Sequence, residues 1–355
     1  MRILFDALGA PSSSGGMRSY VEQLVAAWAG AHQDEIHVAG ERWILDSLHM
    51  IPKQNLHVLP AQGMGRVGSQ WFRVGRLARS IDADLVHSMS PVVSPWVGQN
   101  AVRSNTIHDW RHLLRPAEFS LTQRTYRRLW TTMTSSVAFS VQISEKTAGE
   151  TRAFVPGARL VVAVNGSDHA HRWQPVGRGS RLDEVQLLTF GHHANKRPDM
   201  VIRALPKLIA NSSQRVQLTV LGAEGSIASE LEGLASTLQV SGNVHFPGFV
   251  LESEYRRRLQ QASVVILAST DEGYGLPVAE AACFGIPVVA TRDNGVAGIH
   301  RWPVINVDPD PDALANGVTT AMRMCLAPGL SGQTWAETAG TIREQAILRV
   351  RGPIQ

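Results

Sequence analysis

Cysteine is almost missing from this 355-residue chain: Cys283 and Cys325 are the whole supply. Two thiols build no disulfide framework, so the fold must rest on its core, and a reducing, cytoplasmic setting is expected. No apolar stretch approaches the roughly 18 residues of a membrane-crossing helix. The opening MRILFDALGA has too short an apolar run for a secretory leader and no cleavage pattern behind it, and reads as a first strand. No HxH or DxD metal set stands in the right place and there is no zinc spacing, so no essential metal and no resident cofactor is expected. DPDPD at 308–312 precedes a helix and reads as turn and cap. No RNP motif or heptad supports nucleic-acid binding. The first glycine loop does not have the GxGxxG spacing, which argues against a dinucleotide dehydrogenase.

What is present is core material. Hydrophobic residues make up 44% and charged residues 18%, enough for a large core over two domains. There is no low-complexity tract. The net charge of +4 is lodged in the first half: residues 1–170 hold 17 Lys/Arg against 13 Asp/Glu, and the rest are balanced. Residues 66–128 alone carry ten arginines and four acids. Nucleic acid, anionic lipid and an anionic acceptor each fit such a surplus. RVGSQWFRVGRLARS, set on a helix, gathers Trp71, Val74, Leu77 and Ala78 on one face, with Arg73, Arg76 and Arg79 elsewhere. It reads either as an ordinary surface helix or as a basic amphipathic helix lying on an anionic bilayer.

The chain alternates apolar strands with helical patterns, the mark of parallel α/β layers. RILFDA is a strand, GAPSSSGG a loop and MRSYVEQLVAAWAGA a helix, so Gly15 and Gly16 fall between the first strand and the first helix. They form a flexible loop or a place where a ligand reaches the backbone. DLVHSMSP is another strand, and NTIHDW ends one at His108 and Asp109, the end where open α/β sheets hold ligands. HRWQPVGRGSR reads as a linker. VQLLTFG opens the second half as a strand, and GHHANKRPDM turns from it into a helix, with His192, Lys196 and Arg197 in the turn.

The stretch Ser269–Thr291 carries the most information. VVILAS before it is a buried strand, EGYGLP a glycine turn, and a helix over 278–284 stops at Gly285. A glycine turn opening a helix offers free N–H groups and a positive dipole end, which suits a phosphate. Glu272 and Glu280 are eight residues apart, across a turn, and do not form a paired acid and base.

EGYGLPVAE, with Glu-x7-Glu and GIPVVAT behind it, resembles the donor-site signature of family 4 glycosyltransferases. Supporting segments are similar too: the glycine pair at 15–16, HD at 108–109, NGSD at 165–168, FPGFV at 246–250 and the helix from QTWAET. The resemblance runs from residue 1 to about 348. It implies α/β architecture of the GT-B type: two facing Rossmann-like domains with a cleft between them. The implied division is an acceptor-binding domain over 1–170, a linker over 171–183, a nucleotide-sugar domain over 184–335, and a helix over 336–350 crossing back to the first domain.

It further implies a retaining transfer of a hexose from a nucleotide-diphosphate sugar, GDP-mannose-like or a UDP or dTDP hexose, to a hydroxyl of a glycan or lipid-linked acceptor in cell-surface polysaccharide synthesis. The nucleotide sugar is then a co-substrate. His108, Lys196 and Glu272 would carry catalysis. Donor binding would fall to Gly15, Gly16, Asp109, His192, Arg197, Val250, Gly273, Tyr274, Gly275, Leu276 and Glu280. Within that set Lys196 best matches the family's diphosphate lysine, with Arg197 as its rival. Glu272 goes to the sugar hydroxyls, Glu280 to the ribose, and Val250 lies against the base. Two positions depart from the pattern: His192 stands where the family has Arg, and Ala297 where it has Glu. A nucleotide-sugar epimerase of the same fold, or a degenerate binding protein, is the alternative. The expected place is cytoplasmic, with the basic stretch as a peripheral membrane contact.

Overall fold

The computed structural model describes residues 1–12, 15–177 and 184–350. The chain divides into two units: Met1–Gly166 with the residues from Gln333 onward, and Ser167–Gly332. Among the described residues the first holds seven strands: β1 Arg2–Asp6, β2 Glu35–Gly40, β3 Leu56–Val58, β4 Leu85–Ser88, β5 Val102–Ile107, β6 Phe139–Gln142 and β7 Leu160–Val162. All pair in parallel, in the order β3-β2-β1-β4-β5-β6-β7. The second holds six: β8 Glu184–Phe190, β9 Arg215–Leu221, β10 Val244–Gly248, β11 Val264–Leu267, β12 Val288–Thr291 and β13 Val304–Val307. These are also parallel, in the order β10-β9-β8-β11-β12-β13. Each sheet starts in its middle, runs outward to one edge, and resumes on the other side. The reversals fall between β1 and β4 and between β8 and β11, and crevices of this kind hold ligands in open parallel sheets.

Parallel strands covered on both faces must be apolar throughout. β11 and β12 obey: every residue of each is buried. The covering helices bury one stripe. In Gly16–Ala31 the stripe is Tyr20, Val21, Leu24, Val25 and Trp28. In Pro198–Ala210 it includes Val201, Ile202, Leu205 and Leu208. The second unit has a core on each face of its sheet, one under Pro198–Ala210 and the other holding Val265, Val278, Ala282 and Val288.

The division between units differs from the sequence reading. Residues 171–177, expected in a linker, are tied to the second unit. Ala170 and Trp173 join its core, and the Val176 amide donates to Gln260 Oε1 at 2.9 Å. The indole is the reason: polar neighbours suggested a linker, but one large apolar ring outweighs them. The rest of the expected linker, 178–183, lies outside the described residues.

The last helix, Trp335–Val350, belongs to the first unit. There Trp335 packs edge-on against Tyr20, ring centroids 5.7 Å apart, and Arg343 Nε donates to Asp34 at 2.7 Å. Gly166 lies so close that a Cβ there would sit 2.3 Å from the Trp335 amide nitrogen. Thr338 Oγ1 and Gln333 Nε2 both donate to the Val164 carbonyl, each at 2.6 Å. Among the described residues no helix is long and apolar enough to cross a membrane.

Candidate active site

The turns that follow β8 and β11 meet, because the two strands are neighbours at the reversal of the second sheet. The Thr270 amide donates to the Asn195 carbonyl at 2.8 Å and stitches the two turns together. Beside this stitch Lys196 Nζ donates to Glu272 Oε1 at 2.6 Å. The same oxygen accepts from Ser269 Oγ at 2.5 Å. The pair is largely buried, with side-chain exposures of 18% and 13%. Burial alone would push the Glu272 carboxyl up. The Lys196 ammonium, aided by Ser269 and His192, outweighs it and holds the carboxyl below its ordinary value. Thus Glu272 is an anion at neutral pH, with a cation already in place beside it.

Arg197 is turned elsewhere. Its backbone is left-handed, φ 46°, which ends the turn before Pro198 opens the helix. Its guanidinium donates to the carbonyls of Ala268 and Ser269 at the end of β11, to Thr291 Oγ1 at 2.9 Å and to Asp293 Oδ1 at 2.7 Å. Those four partners make it a tie between strand ends, and Lys196 is the cation at the glycine turn. His192 packs edge-on against His193, centroids 4.9 Å apart. Gly191 before it has no room for a side chain, since a Cβ would meet Val220 at 2.7 Å.

The turn itself is built for close approach. Gly275 is left-handed, φ 83°, and a Cβ on it would lie 2.4 Å from Val296 Cγ2. The helix that follows runs Leu276–Cys283, with Pro277 in its first turn and, among the described residues, no side chain capping it. It starts two residues earlier than 278, because the proline fixes a helical φ from that point. Tyr274 is buried, and His300 Nε2 donates to its carbonyl at 2.7 Å. Burial holds the His300 imidazole neutral, its pKa near 4, so Nδ1 accepts from Ser331 Oγ at 3.0 Å. His300 and Ser331 therefore hold the turn from behind. Neither was visible in the sequence, where only a long-range contact joins them to the motif. Ala297 lies in the short turn Val296–Gly298.

Glu280 points away from Glu272. Its Oε1 accepts from His169 Nε2 at 3.0 Å and its Oε2 accepts from the Tyr255 hydroxyl. Both side chains of the His169–Glu280 pair are at most 5% exposed. Burial and the adjacent carboxylate push the Tyr255 phenol well above its usual value, so it stays a donor. His169 and Tyr255 also escaped the sequence reading; His169 stands one residue past NGSD, and Tyr255 five past Val250. Val250 is half-buried against the core beneath.

In the first unit His108 follows β5 and is held by the Met89 carbonyl, 3.0 Å from Nε2. A carbonyl only accepts, so Nε2 carries the hydrogen. Burial lowers the pKa of the ring, which stays neutral with Nδ1 as a bare acceptor. Tyr20 stands edge-on to it at 4.8 Å. Asp109 Oδ1 takes the Arg111 amide at 3.0 Å and starts the short helix Arg111–Leu114. Gly15 and Gly16 are exposed at the start of the first helix. Asp310, in the DPDPD run, accepts the amides of Asp312 and Ala313 at 2.9 Å and caps the helix Pro311–Ala321.

Two parallel-sheet Rossmann-like units, one with a cation and a carboxylate at its sheet reversal beside a glycine turn, define a GT-B-type α/β protein. Residues 178–324 match the family model "Glycosyl transferases group 1", so the second unit carries a domain of that group. A D-inositol 3-phosphate glycosyltransferase of Geodermatophilus obscurus is 30% identical over 218 residues, 54% of this chain and 48% of that protein. The chain spans less than half the length of the curated relatives it matches. Among solved structures, sucrose-phosphate synthase from Thermosynechococcus elongatus superposes with a TM-score of 0.68 at 20% identity, over 98% of this chain and 94% of that one. Anabaena HepE, in complex with UDP and glucose, gives 0.66 at 18% over 98% and 95%. At these identities the structural likeness speaks for the fold.

Proposed function

We propose that this chain is a glycosyltransferase that moves a hexose from a nucleotide-diphosphate sugar to an acceptor hydroxyl, of the retaining, family 4 kind. The observation that carries this is the Lys196–Glu272 pair at the β8/β11 reversal, beside the uncapped helix that follows Gly275. The demanding event is departure of the diphosphate, which gains negative charge as its bond to the anomeric carbon stretches. A fixed ammonium and helix-end amides stabilise that charge without reorganising. Lys196 takes this role, with the amides after Gly273. Glu272, held by Lys196 and Ser269, accepts hydroxyl hydrogens of the sugar through its remaining lone pairs.

For Glu280 the assignment is to the ribose, with His169 and Tyr255 fixing the carboxylate. His108, in the first unit, keeps its assignment as a catalytic residue, with Nδ1 suited to accept from a sugar hydroxyl. In the transfer the acceptor oxygen bonds to the anomeric carbon on the face the diphosphate leaves. The leaving phosphate keeps the bonding electron pair and takes the acceptor's proton. UDP bound to the structural neighbour HepE supports a uridine donor among the candidates.

Thermal-shift titration with UDP, GDP, dTDP and ADP tests the donor class, because a ligand of the native state raises Tm. One nucleoside diphosphate at a hundred times its Kd should stabilise the protein by about 2.7 kcal/mol. No shift with any of the four overturns the proposal. Release of free nucleotide from its sugar without any acceptor product would instead mark an epimerase.

The acceptor, on the same reading, is presented at an anionic membrane. The apolar face expected to meet the bilayer does not carry this: Val74 and Ala78 are in the core and Leu77 packs against it. What supports it is the outer side, where Met64 is 84% exposed and Leu121 77%, and Phe72, Trp96 and Leu114 are also exposed, on a segment rich in arginine. Vesicles containing anionic lipid should pellet the protein at low salt and release it at high salt, and R73E/R76E should weaken pelleting at least fivefold. Equal pelleting by neutral vesicles would remove the electrostatic part of this reading.

A further inference from the structure

At the carboxyl end of β1, Asp6 pairs in register with Ser88 at the end of β4. This is where the first sheet reverses its order, the counterpart of the β8/β11 reversal. Asp6 is fully buried. Its Oδ1 accepts the Leu8 amide at 3.0 Å, while Oδ2 is buried and has no hydrogen-bond partner among the described residues. Buried polar groups are rarely left so, and an exception calls for a missing donor.

The surroundings are polar by design of the helix above them. Gln70 and Ser69, both buried, ride on a π turn, Ser69–Arg73, let into the helical run from Gly63 to Ser80. Such turns are rare and gather at functional sites. The turn places Gln70 so that Nε2 donates to Ser90 Oγ at 3.3 Å and Oε1 accepts from the Tyr126 hydroxyl at 3.3 Å. The hydroxyls of Ser88 and Ser90 are 3.2 Å apart. Ser69 Oγ is another buried group with no partner among the described residues. The loop after β1 comes close: a Cβ on Gly9 would lie 2.4 Å from Ser90 Cβ.

The chemistry of this nest selects its guest. Burial pushes the Asp6 carboxyl up to about 7, against the Leu8 amide, Gln70, Arg66 and Ser88, which favour the ionised form. Gln70 and Ser88 are thus near enough to favour the ionised carboxyl, while Oδ2 meets no donor at ordinary hydrogen-bond geometry among the described residues. A phosphate or carboxylate would be repelled by Asp6. A neutral hydroxyl would donate to it and accept from the amide or the serines, since hydroxyls both give and take.

We propose that Asp6 and Gln70, with Ser90, form a hydroxyl-binding subsite for the sugar or polyol that receives the transferred group. This assignment of an acceptor rests on the transferase reading, whereas the binding of a polyol does not.

Saturation-transfer NMR with D-glucose, D-mannose and myo-inositol, at millimolar concentration, reads the subsite directly. At least one should receive saturation from the wild-type protein, and the signal should fall at least fivefold in both D6N and Q70L. Asparagine keeps the oxygen that holds the Leu8 amide, so the turn is preserved in D6N. Should D6N fail to fold, Q70L decides, because Gln70 holds no strand or turn backbone. No signal with wild-type protein, or an unchanged signal in a folded variant, overturns the proposal. The nucleotide titration is run on the same samples. A polyol signal without any nucleotide shift sinks the transferase reading and leaves the subsite standing. A nucleotide shift without a polyol signal does the reverse.

Discussion

Lys196→Ala lowers turnover about a hundredfold, the usual scale for deleting one preorganised donor from a site of developing negative charge. The geometry sets two separate effects in play. The ammonium is removed from the glycine turn, and Glu272 loses the partner that holds its carboxyl ionised despite burial. A half-broken buried pair is strongly destabilising, so the variant should also melt earlier. The two effects separate in a cycle of K196A, E272Q and the double variant, followed by kcat, KM and Tm. If Lys196 serves only to hold Glu272, the double variant is no slower than E272Q. If it meets the diphosphate itself, the double variant is slower by a further tenfold or more. Near-normal turnover in K196A ends the assignment of this site.

Gly275→Ala should abolish the nucleotide-induced rise in Tm. Two obstacles add. The backbone there is left-handed at φ 83°, which costs a residue with a Cβ roughly 1–2 kcal/mol. The Cβ would also be 2.4 Å from Val296 Cγ2, and Val296 is itself fully buried, so it has little room to give. The turn must move, and the amides it presents move with it. A folded G275A that binds the nucleotide as the wild type does would show that this turn is not where the ligand is held. Gly298 serves as control: a Cβ there meets nothing within 4 Å.

The strands and the glycine turn were legible because their signals are local. VVIL and PVVAT need only be apolar and β-branched to declare a buried parallel strand, and EGYGLP carries its turn and helix start within six residues. Side-chain direction was not legible. Lys196 and Arg197 are adjacent cations, yet the left-handed backbone at Arg197 sends its guanidinium to carbonyls at the end of β11 while Lys196 meets Glu272. No pattern in NKRP distinguishes the two. Glu280 was found by spacing, but its holders, His169 and Tyr255, lie 111 and 25 residues away in sequence. His87, a strand-end histidine like His108, is wholly internal. It bonds Ser104 and Thr106, and burial drops its pKa to about 3. Asp6 was not legible either, because one carboxylate at the end of a strand looks the same in sequence whether it faces water or a buried nest.

The first unit is assembled from two distant pieces of chain, residues 1–166 and the helix Trp335–Val350. During synthesis the ribosome delivers everything needed for the second unit while the first still lacks its final helix. Until that helix emerges, Tyr20 has no Trp335 beside it and Asp34 no Arg343, though the sheet that carries Asp6 and His108 is already made. The order of completion is thus the reverse of the order of translation: the half begun first is the half finished last.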